Sequence, residues 1–239
     1  MKTIGLIGGM SWESSAQYYR LINEAVRDRL GGLHSAECVL YSVDFATIEE
    51  LQHAGRWDEA GEKLSKVARQ LEAGGADFLV LCTNTMHKVA DAITAHTSIP
   101  LLHIADPTGA QIRARGIQRI GLLGTQFTME QSFYRGRLTS HFGLDVLVPT
   151  PDEQAIVHRV IYDELCQGIV REESHAAYTR IMAHLVERGA EGIILGCTEI
   201  MLLVKDGDAA VPLFDTTTLH ALAAVDTALS ARPLAEAIA

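Results

Sequence analysis

The chain repeats itself once, and the repeat fixes its architecture. Asp77-Phe78-Leu79-Val80-Leu81-Cys82-Thr83 and Gly192-Ile193-Ile194-Leu195-Gly196-Cys197-Thr198 are both apolar runs ending in Cys-Thr, with the cysteines 115 residues apart. Glu72 and Glu187, and Gly74 and Gly189, keep that spacing. Upstream, Ile4-Gly5-Leu6-Ile7-Gly8 is echoed by Ile120-Gly121-Leu122-Leu123-Gly124, and downstream Ile99-Pro100-Leu101-Leu102 by Val211-Pro212-Leu213-Phe214. Echoes in one order at nearly one spacing are the mark of a duplicated structural unit. Each Cys-Thr run is short, apolar and followed by helix-forming sequence, so it reads as a buried parallel strand.

Strands are expected near 2–8, 38–44, 77–82, 99–103, 119–124, 145–148, 191–196 and 211–214. Helices are expected near 13–30, 57–73, 86–96, 107–115, 129–142, 153–166, 172–188 and 219–230. In the helix at 172–188, Ala177, Ile181, His184 and Leu185 form the apolar face at helical spacing. Alternating strands and helices mean parallel sheets covered by helices. With the repeat, this predicts an α/β protein of two similar domains with a cleft between them.

A chain of 239 residues, 48% of them hydrophobic, can bury a sizeable core. The net charge of −10 disfavours a nucleic-acid backbone or an anionic membrane as partner. The start, Met1-Lys2-Thr3-Ile4-Gly5, leads straight into a strand without a signal peptide's apolar region, and no apolar stretch reaches membrane-span length. Four cysteines without a secretory signal point to reduced thiols in the cytoplasm.

A thiol at the carboxyl end of a parallel strand lies where open α/β sheets bind ligands. A helix N-terminus beside it would favour thiolate. Cys82 and Cys197 are thus candidate acid/base groups facing one substrate from opposite sides. Asn84 and Thr85 are expected to cap the helix after Cys82, and Thr198 the helix after Cys197. The turn Gly5-Leu6-Ile7-Gly8-Gly9-Met10-Ser11 lacks the full dinucleotide fingerprint, and no P-loop occurs. Asp44 ends the second strand but stands too far on for the usual ribose contact. Free N–H groups of that turn, with Ser11 and its repeat counterpart Thr125, suit a substrate carboxylate better than a nucleotide. Cys82, His87 and His103 could converge on a metal, as could Cys197 and Glu199, but no Cys-x-x-Cys or His-x-x-x-His pair is present. His87 and His103 read instead as satisfying local hydrogen bonds, and His53, His141 and His184 as surface or helix-face residues. Cys38, in a strand, and Cys166, on a helix face, read as small hydrophobes.

Ile4-Gly5-Leu6-Ile7-Gly8-Gly9-Met10-Ser11-Trp12, Leu81-Cys82-Thr83-Asn84-Thr85-Met86-His87 and Gly196-Cys197-Thr198-Glu199 together resemble the cofactor-independent aspartate/glutamate racemase family, most nearly its broad-specificity amino acid racemase branch. The resemblance runs over essentially the whole chain, through Ile161-Tyr162-Asp163-Glu164-Leu165 and Val211-Pro212-Leu213-Phe214-Asp215. It implies two Rossmann-like domains related by pseudo-twofold symmetry, with the site in the cleft. Chain segments would cross between the halves, giving a first domain of 1–98 plus 208–239 and a second of 99–207. It further implies a homodimer, an amino acid substrate, and a two-base reaction needing neither pyridoxal phosphate nor metal. Cys82 and Cys197 would exchange the α-proton on opposite faces. Met10, Ser11, Thr83, Asn84, Thr85, Thr125, Thr198 and Glu199 would contact the substrate.

The chain also departs from the family pattern. Aspartate-selective members place a basic residue soon after the second strand, where Ala46, Thr47 and Ile48 stand here, with Arg56 arriving only later. They also tend to carry Lys where Gln167, Gly168 and Ile169 stand. These departures predict a nearly neutral side-chain pocket, with Arg56 and Lys88 as the cations able to rescue acidic substrates. Glutamate racemases have His where Glu199 stands; an ionised carboxylate there would raise the Cys197 pKa, or could accept its proton. Hydantoin racemase, maleate-type isomerase and malonate-type decarboxylase chemistry on the same fold, and a non-catalytic binding protein, stay open at this level.

Overall fold

The computed structural model describes residues 1–234. The chain forms two compact units, one of Met1–Ile104 with the described residues from His220 onward, the other of Ala105–Leu219. Each holds a four-stranded, wholly parallel sheet, and both sheets have the same strand permutation.

The first unit runs β1 (Ile4–Gly8), α1 (Trp12–Leu30), β2 (Cys38–Ser42), α2 (Phe45–His53), α3 (Trp57–Ala73), β3 (Phe78–Leu81), a 3₁₀ turn (Thr85–Val89), α4 (Ala90–Thr94) and β4 (Leu101–Leu102), in sheet order β2-β1-β3-β4. Side chains alternate across the sheet, as a period of two requires. Ile4, Leu6, Phe78 and Val80 join Tyr18, Ile22 and Val26 of α1 in one core. Ile7, Leu79 and Leu81 join Ile48 of α2, Leu64, Val67 and Leu71 of α3, and Ile93 of α4 in the other. Burial on both faces is why these strands read as unbroken apolar runs. Each such side chain contributes roughly 1.5–3 kcal/mol when fully removed from water.

The second unit continues with α5 (Ala105–Ala114), β5 (Arg119–Gly124), α6 (Gln126–Glu130), α7 (Ser132–Phe142), β6 (Asp145–Leu147), α8 (Pro151–Asp163), a 3₁₀ turn (Leu165–Gln167), α9 (Glu172–Glu187), β7 (Ile193–Gly196), α10 (Ile200–Leu203), β8 (Leu213–Asp215) and α11 (Thr216–Leu229), whose later turns belong to the first unit. Its sheet order is β6-β5-β7-β8. Leu123, Ile193 and Leu195 pack with Val157, Val160 and Ile161 of α8, Tyr178, Ile181, Met182 and Leu185 of α9, and Ile200 and Leu203 of α10. Arg137 of α7 forks onto Asp106 of α5 at 2.5 and 2.7 Å.

All eight expected strands form, but several helices differ. Residues 45–53 form a helix that the sequence pattern does not announce, the helix expected after Cys197 is confined to Ile200–Leu203, and the expected helices at 86–96, 129–142 and 153–166 are each broken in two. The buried face of α9 uses Tyr178 and Met182, whereas His184 turns to the surface and pairs with Glu153 at 2.5 Å. Cys166 lies in a 3₁₀ turn rather than on a helix face. Sequence boundaries at 98/99 and 207/208 would sever β4 from β3 and β8 from β7, whose ladders run Leu79↔Leu101 and Ile193↔Leu213. Each repeat includes its own fourth strand, so the chain crosses after β4 and returns after β8. On its return α11 lays Ala221, Ala224, Val225 and Ala228 against the core containing Ile4 and Leu6.

Candidate active site

In a doubly wound sheet the ligand crevice opens at the carboxyl ends of the two strands between which the order reverses. In the first unit these are β1 and β3, which end in the Gly8–Ser11 turn and in Cys82. In the second they are β5 and β7, which end in Thr125 and Cys197. Each unit therefore places one cysteine and one polar turn at its own switch point.

Cys82 is fully buried at the centre of a tight turn. Its N–H donates to the Ile7 carbonyl at 2.9 Å, the Thr83 N–H folds back to the Leu81 carbonyl at 2.8 Å, and the Ser14 hydroxyl donates to the Cys82 carbonyl at 3.2 Å. The thiol itself reaches the Val80 carbonyl at 3.8 Å. Burial pushes its pKa up strongly. Thr83, Asn84 and Thr85 are buried beside it, but Asn84 makes no side-chain cap on the adjoining 3₁₀ turn.

Cys197 is also buried, and its Sγ donates to Glu199 Oε2 at 2.9 Å. The Thr198 hydroxyl donates to the same oxygen at 2.8 Å. Burial first, and then the Glu199 charge, push the Cys197 pKa well above its ordinary value. Thr198 is therefore not the expected cap; Glu199 holds the N-cap position of α10, without a side-chain cap bond. The expectation that helix N-termini would draw both thiols toward thiolate is corrected. Cys82 leads into a 3₁₀ turn and Cys197 into a four-residue helix, both too short to offset the loss of water.

The glycine turn has a structural cause. A Cβ on Gly9, at φ +92°, would lie 2.2 Å from the Val43 carbonyl oxygen, so only glycine lets the turn pass against the β2 exit. The Gly9 N–H, expected to be free for a carboxylate, donates to Ser15 Oγ at 2.7 Å. Met10 and Ser11 are buried, and Ser11 is the N-cap residue of α1. The Thr125 hydroxyl accepts from the Thr128 N–H at 3.3 Å as the cap of α6, so it is a local structural group as well as a switch-point residue. Asp44 caps α2 through the Ala46 N–H at 3.2 Å.

The cations expected to serve acidic substrates are engaged elsewhere. Arg56 forks onto Glu59, and Lys88 Nζ lies 3.9 Å above the Trp57 ring. Sequence reasoning missed Lys63 of α3, whose half-buried ammonium donates to Thr47, inside the segment after β2 that was expected to lack a basic residue. It has no ion-pair partner among the described residues. The two residues stand on different helices with a loop between them, so no periodicity signals the contact. Among the described residues no group of three or more His, Cys, Asp or Glu is placed to hold a metal ion.

Residues 7–224 match the family model of the Asp/Glu/hydantoin racemases. Among curated proteins, the chain is 22% identical over 236 residues to the broad-specificity amino-acid racemase RacX of Bacillus subtilis, covering 95% of this chain and 98% of RacX. Among solved structures, a proposed Asp/Glu racemase from Yersinia pestis shares 57% identity at a TM-score of 0.90, covering 96% of this chain and 100% of that one. An aspartate racemase homologue from Pyrococcus horikoshii OT3 shares 33% identity at a TM-score of 0.83, again over 96% and 100% of the two chains. The duplicated sheets, the switch-point cysteines and these matches over nearly the whole length lead to one conclusion: the chain belongs to the Asp/Glu/hydantoin racemase family.

Proposed function

We propose that the chain is a cofactor-independent amino acid racemase working by two bases, with Cys82 and Cys197 addressing opposite faces of the substrate α-carbon. The observation that carries this reading is the same Cys-Thr step at the switch point of each of two equivalent sheets. Binding alone needs neither thiol. Inversion needs one proton acceptor and one proton donor, and two mirrored thiols supply both.

Because burial holds both groups toward the thiol, a thiolate must be made where its proton has somewhere to go. Glu199 Oε2 is that acceptor for Cys197. The Cys197 thiolate takes the α-proton, and the electron pair passes into the substrate carboxylate. Cys82 then returns its S–H proton from the other face. N–H groups of the Met10-Ser11 turn and the polar side chains of Thr83, Asn84, Thr85, Thr125 and Thr198 are assigned to the charge that develops on the carboxylate. Neither metal nor pyridoxal phosphate enters this sequence. Reduced thiols suit the cytoplasm, and a homodimer is the assembly we assign.

Proton NMR in D₂O against a panel of L- and D-amino acids tests this reading, with a 5-substituted hydantoin included because the family embraces hydantoin racemases. Loss of the α-proton signal with loss of optical activity is expected. Alkene isomerisation or CO₂ release without α-proton exchange would replace the racemase reading with maleate-type or malonate-type chemistry.

A further inference from the structure

The β3–β4 ladder stops abruptly beside Cys82. Its register, Leu79↔Leu101 and Val80↔Leu102, sends the Leu79 N–H to the Pro100 carbonyl at 2.8 Å. One step further, the same pattern would send the Ile104 N–H to the Leu81 carbonyl. That carbonyl instead accepts the Thr83 N–H, which closes the turn around Cys82. The Ile104 N–H goes to His87 Nε2 at 3.2 Å, while His87 Nδ1 lies 2.7 Å from the Thr83 carbonyl. One imidazole therefore spans the gap where the ladder gives way.

Its protonation state is fixed by its partners. A backbone N–H can only donate, so Nε2 carries no proton; a carbonyl can only accept, so Nδ1 carries one. The ring is the neutral Nδ1–H tautomer and is buried. His220 holds the same segment with the opposite tautomer: Nε2–H donates to the Leu102 carbonyl at 2.9 Å, and Nδ1 accepts from Tyr18 OH at 2.8 Å. The repeat does not copy this arrangement. At the repeat spacing His87 corresponds to Leu202, which is exposed.

We propose that His87 is the positioning residue for Cys82, a neutral strut that ties the Cys82-Thr83 turn to the β4 exit and so sets where the thiol points. His87 touches neither substrate nor thiol in this role, which rests on the racemase reading only for its catalytic consequence. Both halves of the strut are separable by substitution. His87→Asn keeps a donor near the Nδ1 position and loses the Ile104 link; His87→Gln keeps an acceptor near Nε2 and loses the Thr83 link.

The test is the ratio of Cys82 to Cys197 alkylation rates by iodoacetamide, read by peptide mass spectrometry on the full-length protein, with kcat and KM measured alongside. Cys197 serves as the internal control for global loosening. In His87→Gln the ratio should rise at least fivefold and kcat should fall at least tenfold with KM within threefold. His87→Asn should show a smaller change in the same direction. An unchanged ratio in both folded variants would overturn the proposal, as would a rise shared equally by Cys197. If the ratio shifts but the wild-type protein exchanges no α-proton, the strut stands and the racemase reading falls.

Discussion

Replacing Glu199 by Gln separates its two assigned effects on Cys197, because they have opposite signs. The carboxylate oxygen lies 2.9 Å from the thiol sulfur. Two unit charges at that separation repel by about 6 kcal/mol at an effective dielectric of ~20. The amide removes this repulsion while keeping an oxygen able to accept from S–H. If relaxation and water recover half of it, about 3 kcal/mol remains, more than a hundredfold in the thiolate-to-thiol ratio. At fixed pH near neutrality the Cys197 thiolate fraction must therefore rise, and with it the rate of alkylation. An amide cannot take the thiol proton during turnover, so racemisation should fall. The expected signature of Glu199→Gln is Cys197 alkylation faster by at least tenfold, Cys82 alkylation unchanged, and kcat lower by at least tenfold. Iodoacetamide kinetics between pH 6 and 9 and steady-state racemisation read the two effects. Slower Cys197 alkylation in the variant would refute the reasoning, since Glu199 would then be promoting thiolate rather than opposing it.

Cys82→Ala and Cys197→Ala should each abolish racemisation, with α-proton exchange surviving only on the face of the remaining thiol; near-wild-type racemisation by either would sink the two-base scheme. Small polar neutral amino acids should be turned over at least as well as aspartate or glutamate, compared by kcat/KM. An acidic preference of about a hundredfold, about 2.7 kcal/mol at the transition state, would instead assign the half-buried Lys63 ammonium to a substrate carboxylate. Burial holds the His220 pKa down at about 4. The unfolded chain binds that proton at its ordinary pKa near 6.5, so stability present above ~6.5 is lost as pH falls toward 4, by up to about 3 kcal/mol. The melting temperature of wild type should fall more steeply over that range than that of His220→Asn, and equal slopes would refute the assignment.

What can be read from sequence is whatever repeats or alternates. The central strands β1, β3, β5 and β7 are the most legible, because burial on both faces leaves an apolar run. The cysteines are legible because duplication marks them twice. The short helix at 45–53 is not, since a segment of so few residues gives too little periodicity to stand out from a loop. The state of the thiols is also hidden. Sequence places each cysteine before a helix, but only packing shows that desolvation outweighs a one-turn dipole. Likewise nothing in the spacing of His87, His220 and Ile104 announces that two imidazoles take over where a ladder ends.

The double crossing of the chain orders events in time. The second unit is a single uninterrupted stretch, complete once Leu219 has been made. The first unit is discontinuous: Ala221, Ala224, Val225 and Ala228 fill the core that Ile4 and Leu6 open at the start. On the ribosome, the half that is begun first is therefore the half that is finished last. Until α11 emerges, the face of β1 and β3 that it covers remains open, and the inserted half has its whole length available for folding in the meantime. A truncation after Leu219, which removes the later turns of α11, should thus strike the amino-terminal half, at the far end of the sequence, and spare the half that immediately precedes the cut.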